Sequence, residues 1–392
     1  MAAPTDINPP TEAHPLSPLD ALRLREALDL AEGVIGLTDP NPRVGCVLGT
    51  QDGRVLGRGA TQEVGGPHAE VMALREAAAN GHDVRGATAW VTLEPCAHHG
   101  RTPPCCDALI AAGIGRVVAA MQDPFPAVAG QGMARLRAAG VQVALAGGAL
   151  AEAAREINIG FFSRVLRGRP WIRLKTACSL DGRTALPNGV SQWITGPAAR
   201  ADGHAWRRRA SVVLTGIGTI LSDDPGLDVR LVPTRKQPRR AVLDSRLRIP
   251  VDAAILQRPG TLVYTSSNDA ERQMALSAIG AEVIRLTTDR ERVDLHALTT
   301  DLTVRQANEV HVEAGAALTG SWLESDAADE LLMYVAPMVL GPGRGIADLL
   351  PSQDLATTRR FQFAGSEFVG QDLRLILRRI DSLPEHWCPL PP

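Results

Sequence analysis

Aromatic residues are scarce in this sequence and make up 4% of its 392 residues, whereas hydrophobic residues as a whole make up 45%. The apolar content is therefore mainly aliphatic, which is typical of globular proteins. An excess of either charge is also missing, because the formal net charge is −2. Such a balance gives no electrostatic reason to expect nucleic acid or an anionic membrane as a partner.

Long hydrophobic runs are absent as well, and none approaches the ~20 residues that cross a membrane. The first stretch, "MAAPTDINPPTEAHPLSP", lacks the basic start and apolar core of a signal peptide, so we expect a cytoplasmic protein. The chain has six cysteines. In a long cytosolic chain these seldom form disulfides, and a local cluster of Cys and His is more often metal-binding or catalytic.

The length allows two domains, each with its own core. After a proline-bearing tail over residues 1–18, a helix capped by Ser17, a hairpin and then alternating helices and strands are predicted. This order is typical of a three-layer α/β domain, which we place at residues 19–165. The basic stretch "SRVLRGRPW" marks a junction, and a second α/β domain with antiparallel C-terminal strands is predicted over residues 170–383.

Two stretches of the first half, "PHAEV" and "EPCAHHGRTPPCC", contain residues that suit a catalytic metal. His68 and Glu70 stand at a helix predicted to open at Pro67, Cys96 follows a strand, and Cys105 opens the next helix. One His and two Cys can hold tetrahedral Zn²⁺ and leave its fourth position to water. Glu70 is then the general acid/base, as in the H-x-E and P-C pattern of zinc deaminases.

Other interpretations of these cysteines stay open at the level of sequence. A structural zinc site or a redox pair would use the same residue types, and Cys106 stands next to Cys105 as an alternative ligand. The cysteine spacing, C-x8-C, is longer than the usual C-x-x-C, and His98 and Arg101 lie within the extra residues. Cys46 lies in an apolar strand and is expected to pack in the core.

The second half carries weaker signals, because no strand–GxGxxG–helix fingerprint is present. The stretch "VEAGAALTG" predicts a strand that runs into a helix start, where free N–H groups can hold a phosphate. Asp223, Asp224 and Arg230 fit either a capped turn with a surface ion pair or a ligand site. The run Arg207 to Arg209 ends a helix, and its last two members are expected to be solvated.

The stretches "TDPNPRVGCV", "PHAE" and "EPCAHHGRTPPC" resemble the deaminase half of the bifunctional riboflavin-biosynthesis deaminase/reductase family. The resemblance implies a cytidine-deaminase-like fold, Zn²⁺, and a diaminopyrimidinone substrate that carries a phosphoribosylamino group. It also implies substrate contacts by Asn41, His98 and Arg101. The family commonly has a His at the place of Thr61, seven residues before the zinc His.

The stretches "LKTACSLDGRTA", "SQWITG", "GTILSDDPGLDVR" and "VHVEAGAALTGSWL" resemble the reductase half of the same family. This implies a dihydrofolate-reductase-like α/β fold and NADPH-dependent reduction of the ribosyl group to ribityl. The implied cofactor contacts are Ala177, Trp193, Thr219, Asp223, Ser245, Gly315, Ala316, Ala317, Leu318, Thr319, Gly320 and Ser321. The implied substrate contacts are Lys175, Ser191, Arg207, Leu227, Arg230 and Glu313. Asp181 is a further expected neighbour of the reacting carbon.

The sequence thus predicts a homo-oligomeric enzyme that acts on small phosphoribosylaminopyrimidines, without nucleic acid or membrane partners. Three alternatives remain: an enzyme with one working half, a tRNA-editing deaminase, and a zinc-stabilised nucleotide sensor without turnover. Thr61 and Ser211 depart from the family pattern and are the residues that favour the first. The charge balance and the long cysteine spacing disfavour the second, and Glu70 disfavours the third.

Overall fold

The computed structural model describes residues 16–98, 103–125, 129–286 and 292–380. The chain divides into two compact units, Met1–Leu166 and Arg167–Pro392. Both are α/β, as the alternation of helix and strand patterns predicts. In the described part of the chain, no helix has the length and apolar character needed to span a membrane.

The first unit is built on a five-stranded sheet with the order β2-β1-β3-β4-β5. The hairpin β1–β2 and the pair β1–β3 are antiparallel, and β3, β4 and β5 run parallel to one another. The elements are α1 (Pro18–Glu32), β1 (Gly45–Gly49), β2 (Val55–Ala60), α2 (Ala69–Ala79), β3 (Thr88–Val91), α3 (Cys105–Ala111), β4 (Arg116–Ala119), α4 (Gln131–Ala138), β5 (Gln142–Leu145), α5 (Gly148–Ile157) and α6 (Ile159–Arg167).

Helix α1 begins with the predicted cap. Ser17 Oγ accepts from the backbone N–H of Asp20 at 3.1 Å, and the Asp20 carboxylate accepts in return from Ser17 N at 3.0 Å. Asp20 also accepts from Trp90 Nε1 and Arg116 Nη1, both at 2.7 Å. Burial alone would raise the pKa of Asp20, but these hydrogen bonds hold it well below its usual range. One capping residue therefore ties α1 to β3 and β4.

Helix α2 lies close against strand β2 because two glycines of that strand face it. A Cβ at Gly57 would stand 2.3 Å from Ala73 O, and one at Gly59 would stand 2.2 Å from Ala69 O. The helix begins at Ala69 with His68 as its N-cap, two residues later than predicted from Pro67. The two glycines therefore set the position of the α2 N-terminus, where His68 and Glu70 lie.

The second unit is built on a nine-stranded sheet with the order β11-β10-β9-β8-β12-β6-β13-β16-β15. Its strands are parallel as far as β13, and β16 and β15 complete it antiparallel, as expected. The elements are β6 (Trp171–Ser179), β7 (Arg183–Ala185), α7 (Pro197–Arg209), β8 (Val212–Gly216), α8 (Ile217–Asp223), β9 (Arg239–Leu243), β10 (Leu262–Thr265), α9 (Ala270–Ala278), β11 (Glu282–Arg285), α10 (Leu295–Val304), β12 (Glu309–Glu313), α11 (Ala316–Glu324), β13 (Glu330–Ala336), β14 (Arg344–Gly345), β15 (Phe361–Val369) and β16 (Asp372–Arg379).

The two faces of this sheet differ in chemistry, because successive side chains of a strand point to opposite faces. Val310 and Val312 of β12 pack into a core that includes Trp322 of α11. The alternate residues of β12 are Glu309, His311 and Glu313, which all have polar side chains. Strand β12 thus has one apolar face and one polar face, whereas on β8, β9 and β10 the same face carries Val213, Val242 and Val263, which pack in a second core.

The charged face carries a buried ion network at one end. Arg173 of β6 is 1% exposed and pairs with Glu309 at 2.9 Å and with Glu330. Arg209, expected to be solvated, pairs with Glu309 at 2.7 Å instead. The reason is that α7 covers this face of the sheet, which the amphipathic pattern of α7 alone does not reveal.

The glycine contact between β2 and α2 generates a prediction. Gly59→Ala should lower the free energy of unfolding of the first unit by about 1–3 kcal/mol, because its Cβ must displace the α2 backbone. Denaturant titration checks this value, and metal content should fall with it. Gly33→Ala is the control, since its nearest non-neighbour atom would lie at an ordinary 3.4 Å. Equal losses for the two variants would contradict the role given to Gly59.

Candidate functional site

A cluster of one histidine and two cysteines lies in the first unit. His68 Nδ1 is 3.6 Å from Cys96 Sγ and 3.3 Å from Cys105 Sγ, and the three ligand atoms all lie within 4.8 Å of one another. In the described part of the chain this is the group of His, Cys, Asp and Glu residues that can hold a metal ion. The sequence placed the same three residues together.

The spacing of these atoms fits zinc. Tetrahedral Zn²⁺ with bonds of about 2.3 Å to sulfur and about 2.0 Å to nitrogen separates an N and an S ligand by about 3.5 Å. The two N–S distances of 3.6 and 3.3 Å match that edge. Three protein ligands leave one position of the tetrahedron for water, which is the arrangement of catalytic zinc sites.

The cysteines are held by the backbone around them. Cys105 N donates to Cys96 Sγ at 3.3 Å, and Cys106 N donates to Cys96 O at 3.3 Å, so the start of α3 is fixed against the segment after β3. The two thiols share a hydrogen bond, which lowers the pKa of Cys96 and raises the pKa of Cys105, so that Cys96 is the first of the pair to become a thiolate. A thiolate is the form of cysteine that binds metal.

Glu94 contributes a support that sequence reasoning missed. It is 3% exposed, and its carboxylate accepts from the backbone N–H groups of Gly130 at 2.9 Å and Met133 at 3.1 Å. It thereby clamps the residues before Cys96 to the start of α4. Glu94 stands at the end of an apolar strand, directly before Pro-Cys. This position could have indicated its role, since a buried carboxylate needs hydrogen-bond partners.

Glu70 lies in the first turn of α2 and is 3% exposed. Burial raises the pKa of its carboxyl to about 7, and the charge of Cys96 acts in the same direction. A carboxyl group placed two residues after a metal ligand, at the end of a helix that faces the cluster, can exchange protons with a molecule held there.

Cys106 does not belong to the cluster. Its Sγ approaches Asp107 Oδ1 at 3.8 Å, and its side chain is fully buried. Burial raises the pKa of its thiol to about 11. Cys46 is fully buried in β1, as expected for a core residue.

The expected substrate residues of this unit are only partly placed. Asn41 lies in the turn before β1, where its backbone N–H donates to Thr38 O at 2.9 Å. His98 is exposed and packs its ring against Phe125, with ring centroids 6.0 Å apart. Arg101 lies outside the described residues.

The second unit contains a cleft of about 1570 Å³ at the carboxyl ends of its parallel strands. This volume exceeds that of most single-ligand pockets, so two ligands can occupy it together. Cationic side chains outnumber carboxylates along its wall. The cations are Lys175, Arg200, Arg207, Arg230, Arg246, Arg248, Arg292 and Arg344, and the carboxylates are Asp223, Asp224, Glu313 and Asp348. The cleft therefore suits anionic ligands.

Most of the cofactor and substrate residues that the sequence suggested line this cleft. The cofactor group that does so is Ala177, Trp193, Thr219, Asp223, Ser245, Gly315, Ala316, Ala317, Leu318 and Ser321. The substrate group that does so is Lys175, Ser191, Arg207, Leu227, Arg230 and Glu313. These residues come from separate segments of the chain, and the ends of the parallel strands bring them together.

Three expected residues are placed elsewhere. Thr319 is 6% exposed, and its hydroxyl donates to Ala314 O at 3.4 Å. Gly320 lies against the Asp348 backbone, where a Cβ would meet an oxygen at 1.9 Å. Asp181 accepts from Leu340 N and Gly341 N and so caps a loop. The first two lie on the inner side of α11, a consequence of helical periodicity within a continuous motif.

The cleft contains a half-buried group of opposite charges. Glu313 and Lys175 are register partners on adjacent parallel strands, and Arg207 of α7 forms a two-pronged pair with the Glu313 carboxylate. Burial lowers the pKa of the Lys175 amine, and the Glu313 charge opposes this effect. Although burial alone would raise the pKa of Glu313, Arg207 holds it well below its usual range. Arg207 is thus engaged by protein groups.

Arg230 has a different environment. Its side chain is 56% exposed and pairs with Asp228 at 2.8 Å, so the surface ion pair expected with Asp223 or Asp224 forms with another partner. Sequence reasoning also missed Arg200, whose guanidinium stacks 4.5 Å above the exposed ring of Trp193. A cation seven residues after a tryptophan is too weak a signal to have predicted this contact.

Two protein families match the two halves of the chain separately. The family described as "Cytidine and deoxycytidylate deaminase zinc-binding region" matches residues 19–121, and the family "RibD C-terminal domain" matches residues 170–375. The "Riboflavin biosynthesis protein RibD" of Escherichia coli is 43% identical over 371 residues, which cover 91% of this chain and 99% of that relative. The chain belongs to the RibD family. It is a bifunctional deaminase/reductase of riboflavin biosynthesis.

Solved structures of RibD proteins have the same two-part architecture. The RibD of Acinetobacter baumannii, form 1, has a TM-score of 0.83 at 38% identity and covers 93% of this chain and 99% of its own. A deaminase/reductase of Thermotoga maritima has a TM-score of 0.82 at 33% identity, with 92% and 99% covered. The expected fold classes are confirmed: a cytidine-deaminase-like domain precedes a RibD reductase domain.

The ligand cluster generates a prediction about the adjacent cysteines. Cys105→Ser should lose most of its zinc, because a weaker ligand replaces one of three protein donors. Cys106→Ser should keep its zinc, since that thiol faces Asp107. Metal analysis of the purified variants after dialysis makes the comparison. The opposite pattern would identify Cys106 as the ligand.

Proposed function

We propose that the first unit hydrolytically deaminates 2,5-diamino-6-(phosphoribosylamino)pyrimidin-4-one. The second unit then reduces the ribosyl group of the product, 5-amino-6-(5-phosphoribosylamino)uracil, to ribityl with NADPH. The observation that carries the proposal is the pairing of a three-ligand metal cluster, beside buried Glu70, with a cationic cleft of about 1570 Å³ in one chain of the RibD family.

In the deaminase site, His68, Cys96 and Cys105 would hold zinc, which supplies a water of lowered pKa when it is bound. Glu70 accepts a proton from the attacking water, returns it to the ring nitrogen and assists departure of ammonia. Its burial excludes bulk water, which would otherwise compete for the same proton. Asn41, His98 and Arg101 are proposed to contact the pyrimidine and its substituents.

In the reductase site, bound NADPH supplies the hydride. Residues 315–318 and Ser321 would hold the cofactor at the N-terminus of α11, whose free N–H groups suit its phosphates. Trp193 and Thr219 also line the cleft. Lys175 and Glu313 are proposed to orient the ribosyl hydroxyl groups, since both are charged, half-buried and aligned by strand register.

Arg230 is the better candidate for the substrate phosphate. Arg207 already meets the Glu313 carboxylate and donates to Asp228 O at 2.9 Å, so its guanidinium is committed to protein acceptors. Arg230 has one acidic partner and is largely exposed to the cleft. We therefore assign phosphate binding to Arg230 and positioning of Glu313 to Arg207.

We further propose domain limits of 19–165 and 170–383, a cytoplasmic location and a homo-oligomeric state. The division of the described structure between Leu166 and Arg167 supports the first. Strand β15 lies at a sheet edge and exposes Phe363 by 72% and Phe368 by 75%, which supports association. Sedimentation equilibrium of the intact chain measures its oligomeric state, and a monomer would contradict the last proposal.

The first test of function changes the proton carrier alone. Glu70→Gln should keep zinc and lose deamination by roughly 10²–10⁴-fold, because the ligands remain while the general acid/base is removed. Glu76→Gln, on an exposed turn of the same helix, is the control and should deaminate normally. Deamination by Glu70→Gln at the wild-type rate would refute the assignment.

The second test separates the two activities. Glu313→Gln should slow reduction of an already deaminated substrate by roughly 10- to 100-fold, because Arg207 and Lys175 lose their shared anion. Deamination by this variant should be unchanged, and Glu70→Gln should show the reverse pattern. The control is Glu282→Gln. Glu282 lies on β11 of the same sheet, and the change removes its exposed ion pair with Arg305, so neither activity should be affected. A normal reduction rate in Glu313→Gln would exclude Glu313 from the site.

A further inference from the structure

The loop that follows α8, residues 224–231, carries two residues proposed to contact the substrate. Leu227 and Arg230 both line the cleft. Leu227 is 2% exposed and packs in the core, so its own side chain anchors its part of the loop. The side chain of Arg230 is 56% exposed and gives no such anchor. The position of Arg230 therefore depends on how the backbone of the loop is held.

Side chains from outside the loop hold the two residues before Arg230. Arg207 Nη1 donates to Asp228 O at 2.9 Å. The side-chain amide of Gln237 makes two hydrogen bonds with Val229, accepting from its backbone N–H at 2.8 Å and donating to its carbonyl oxygen at 2.8 Å. The backbone of Asp228 and Val229 is thus fixed before the chain reaches Arg230.

The backbone of Arg230 itself is held by His204. The N–H group of Arg230 donates to His204 Nδ1 at 3.1 Å. His204 lies on α7 three residues before Arg207, so the two side chains share one face of the helix. It is 5% exposed and lines the cleft. The proposed chemistry gives His204 no role, although it lies between two arginines that have one.

The ring of His204 is kept in its neutral form. Burial lowers its pKa to about 4, and the charges of Arg207 and Arg230 act in the same direction, whereas those of Glu313 and Asp228 oppose it. A neutral imidazole accepts a hydrogen bond at one nitrogen and carries its proton on the other, so Nδ1 accepts and Nε2 carries the hydrogen. A protonated ring would have no acceptor for the N–H of Arg230. His204 is therefore a fixed acceptor at neutral pH.

We propose that His204 is a positioning residue for the substrate phosphate: it fixes the backbone of Arg230 so that the guanidinium group of Arg230 meets the phosphate. This inference rests on the proposed reductase function and on phosphate binding by Arg230. A guanidinium group binds phosphate through two N–H groups of fixed geometry, which requires a defined starting point for the side chain. An anchored backbone also leaves less of the chain to be ordered when the substrate binds.

Steady-state reduction of the deaminated substrate with NADPH tests this role. His204→Leu should raise the KM of the substrate roughly tenfold and change kcat by less than about twofold, because phosphate binding is weakened while hydride transfer is not. His204→Asn should return KM to within about threefold of the wild-type value, since its amide oxygen can replace Nδ1 as the acceptor. A loss in the Asn variant as large as that in the Leu variant would overturn the proposal.

A double-mutant cycle shows whether His204 acts through Arg230. Arg230→Gln should raise the KM of the substrate roughly tenfold or more, and the double variant H204L/R230Q should raise it no further, because the contact that His204 supports is already lost. Independent losses that multiply in the double variant would overturn the proposal. His296→Leu is the matched control, since it makes the same change at an exposed histidine of α10. It should leave KM unchanged.

Binding of NADPH, measured by quenching of protein fluorescence, separates a local effect from a disturbed cleft. The Kd of NADPH should be the same in His204→Leu and in the wild-type protein. A Kd that rises together with the KM of the substrate would show a general structural role for His204 and would overturn the proposal.

Three outcomes separate failure of this inference from failure of the proposed function. A normal KM in His204→Leu beside a raised KM in Arg230→Gln overturns this inference alone. A normal KM in Arg230→Gln overturns phosphate binding by Arg230, and this inference with it. A wild-type protein that does not reduce the substrate overturns the proposed function. Calorimetry with ribose 5-phosphate then tests the phosphate contact without turnover, and weaker binding to His204→Leu than to the wild-type protein is the result we expect.

Discussion

Parallel strands place the residues that follow them at one edge of a sheet, and both units of this protein depend on that constraint. In the first unit, Cys96 comes after β3, and the backbone groups that hold Glu94 come after the adjacent strand β4. In the second unit, the ends of β9, β8, β12 and β6 supply the wall of the cleft. Residues distant in sequence meet because neighbouring strands end side by side.

The reductase sheet also has to accommodate charge on a covered face. Arg173 is almost completely buried, and a lone charge there would be destabilising by several kcal/mol. Glu309 and Glu330 neutralise it from the strands on either side. Further along the same strands, Lys175 and Glu313 are register partners and place a second pair of opposite charges at the cleft. The ion network thus ends where the proposed substrate site begins.

The arginines that line the cleft differ in whether a protein carboxylate already binds their guanidinium group. A guanidinium that already meets a carboxylate in a two-pronged pair has few donors left for a ligand, and Arg207 is in that position. Arg246 and Arg248 have no such partner among the described residues, and their loop is stabilised by a different group, Asp244. Charge count alone would treat these arginines as equivalent, whereas the structure distinguishes those that shape the protein from those that face the cleft.

Features that depend on neighbouring residues and on side-chain chemistry can be inferred from the amino-acid sequence. A helix start is defined within four residues by Ser17 and Asp20. A metal site is indicated by the ligand types of His68, Cys96 and Cys105, with Glu70 beside them. The resemblance to the riboflavin deaminase/reductases rests on equally compact stretches. Cys106 could not be separated from Cys105 in this way, because adjacent residues share a motif and only the direction of each side chain decides between them.

Features that depend on contacts between distant segments become visible only in the folded chain. Arg207 meets Glu313 across 106 residues, and Arg209 becomes buried because α7 lies over the charged face of the sheet. Thr319 and Gly320 belong to the cofactor motif in sequence yet lie on the inner side of α11. The physical reason is common to all of these: a motif specifies which residues are present, whereas strand order and helix rotation determine which of them reach the cleft.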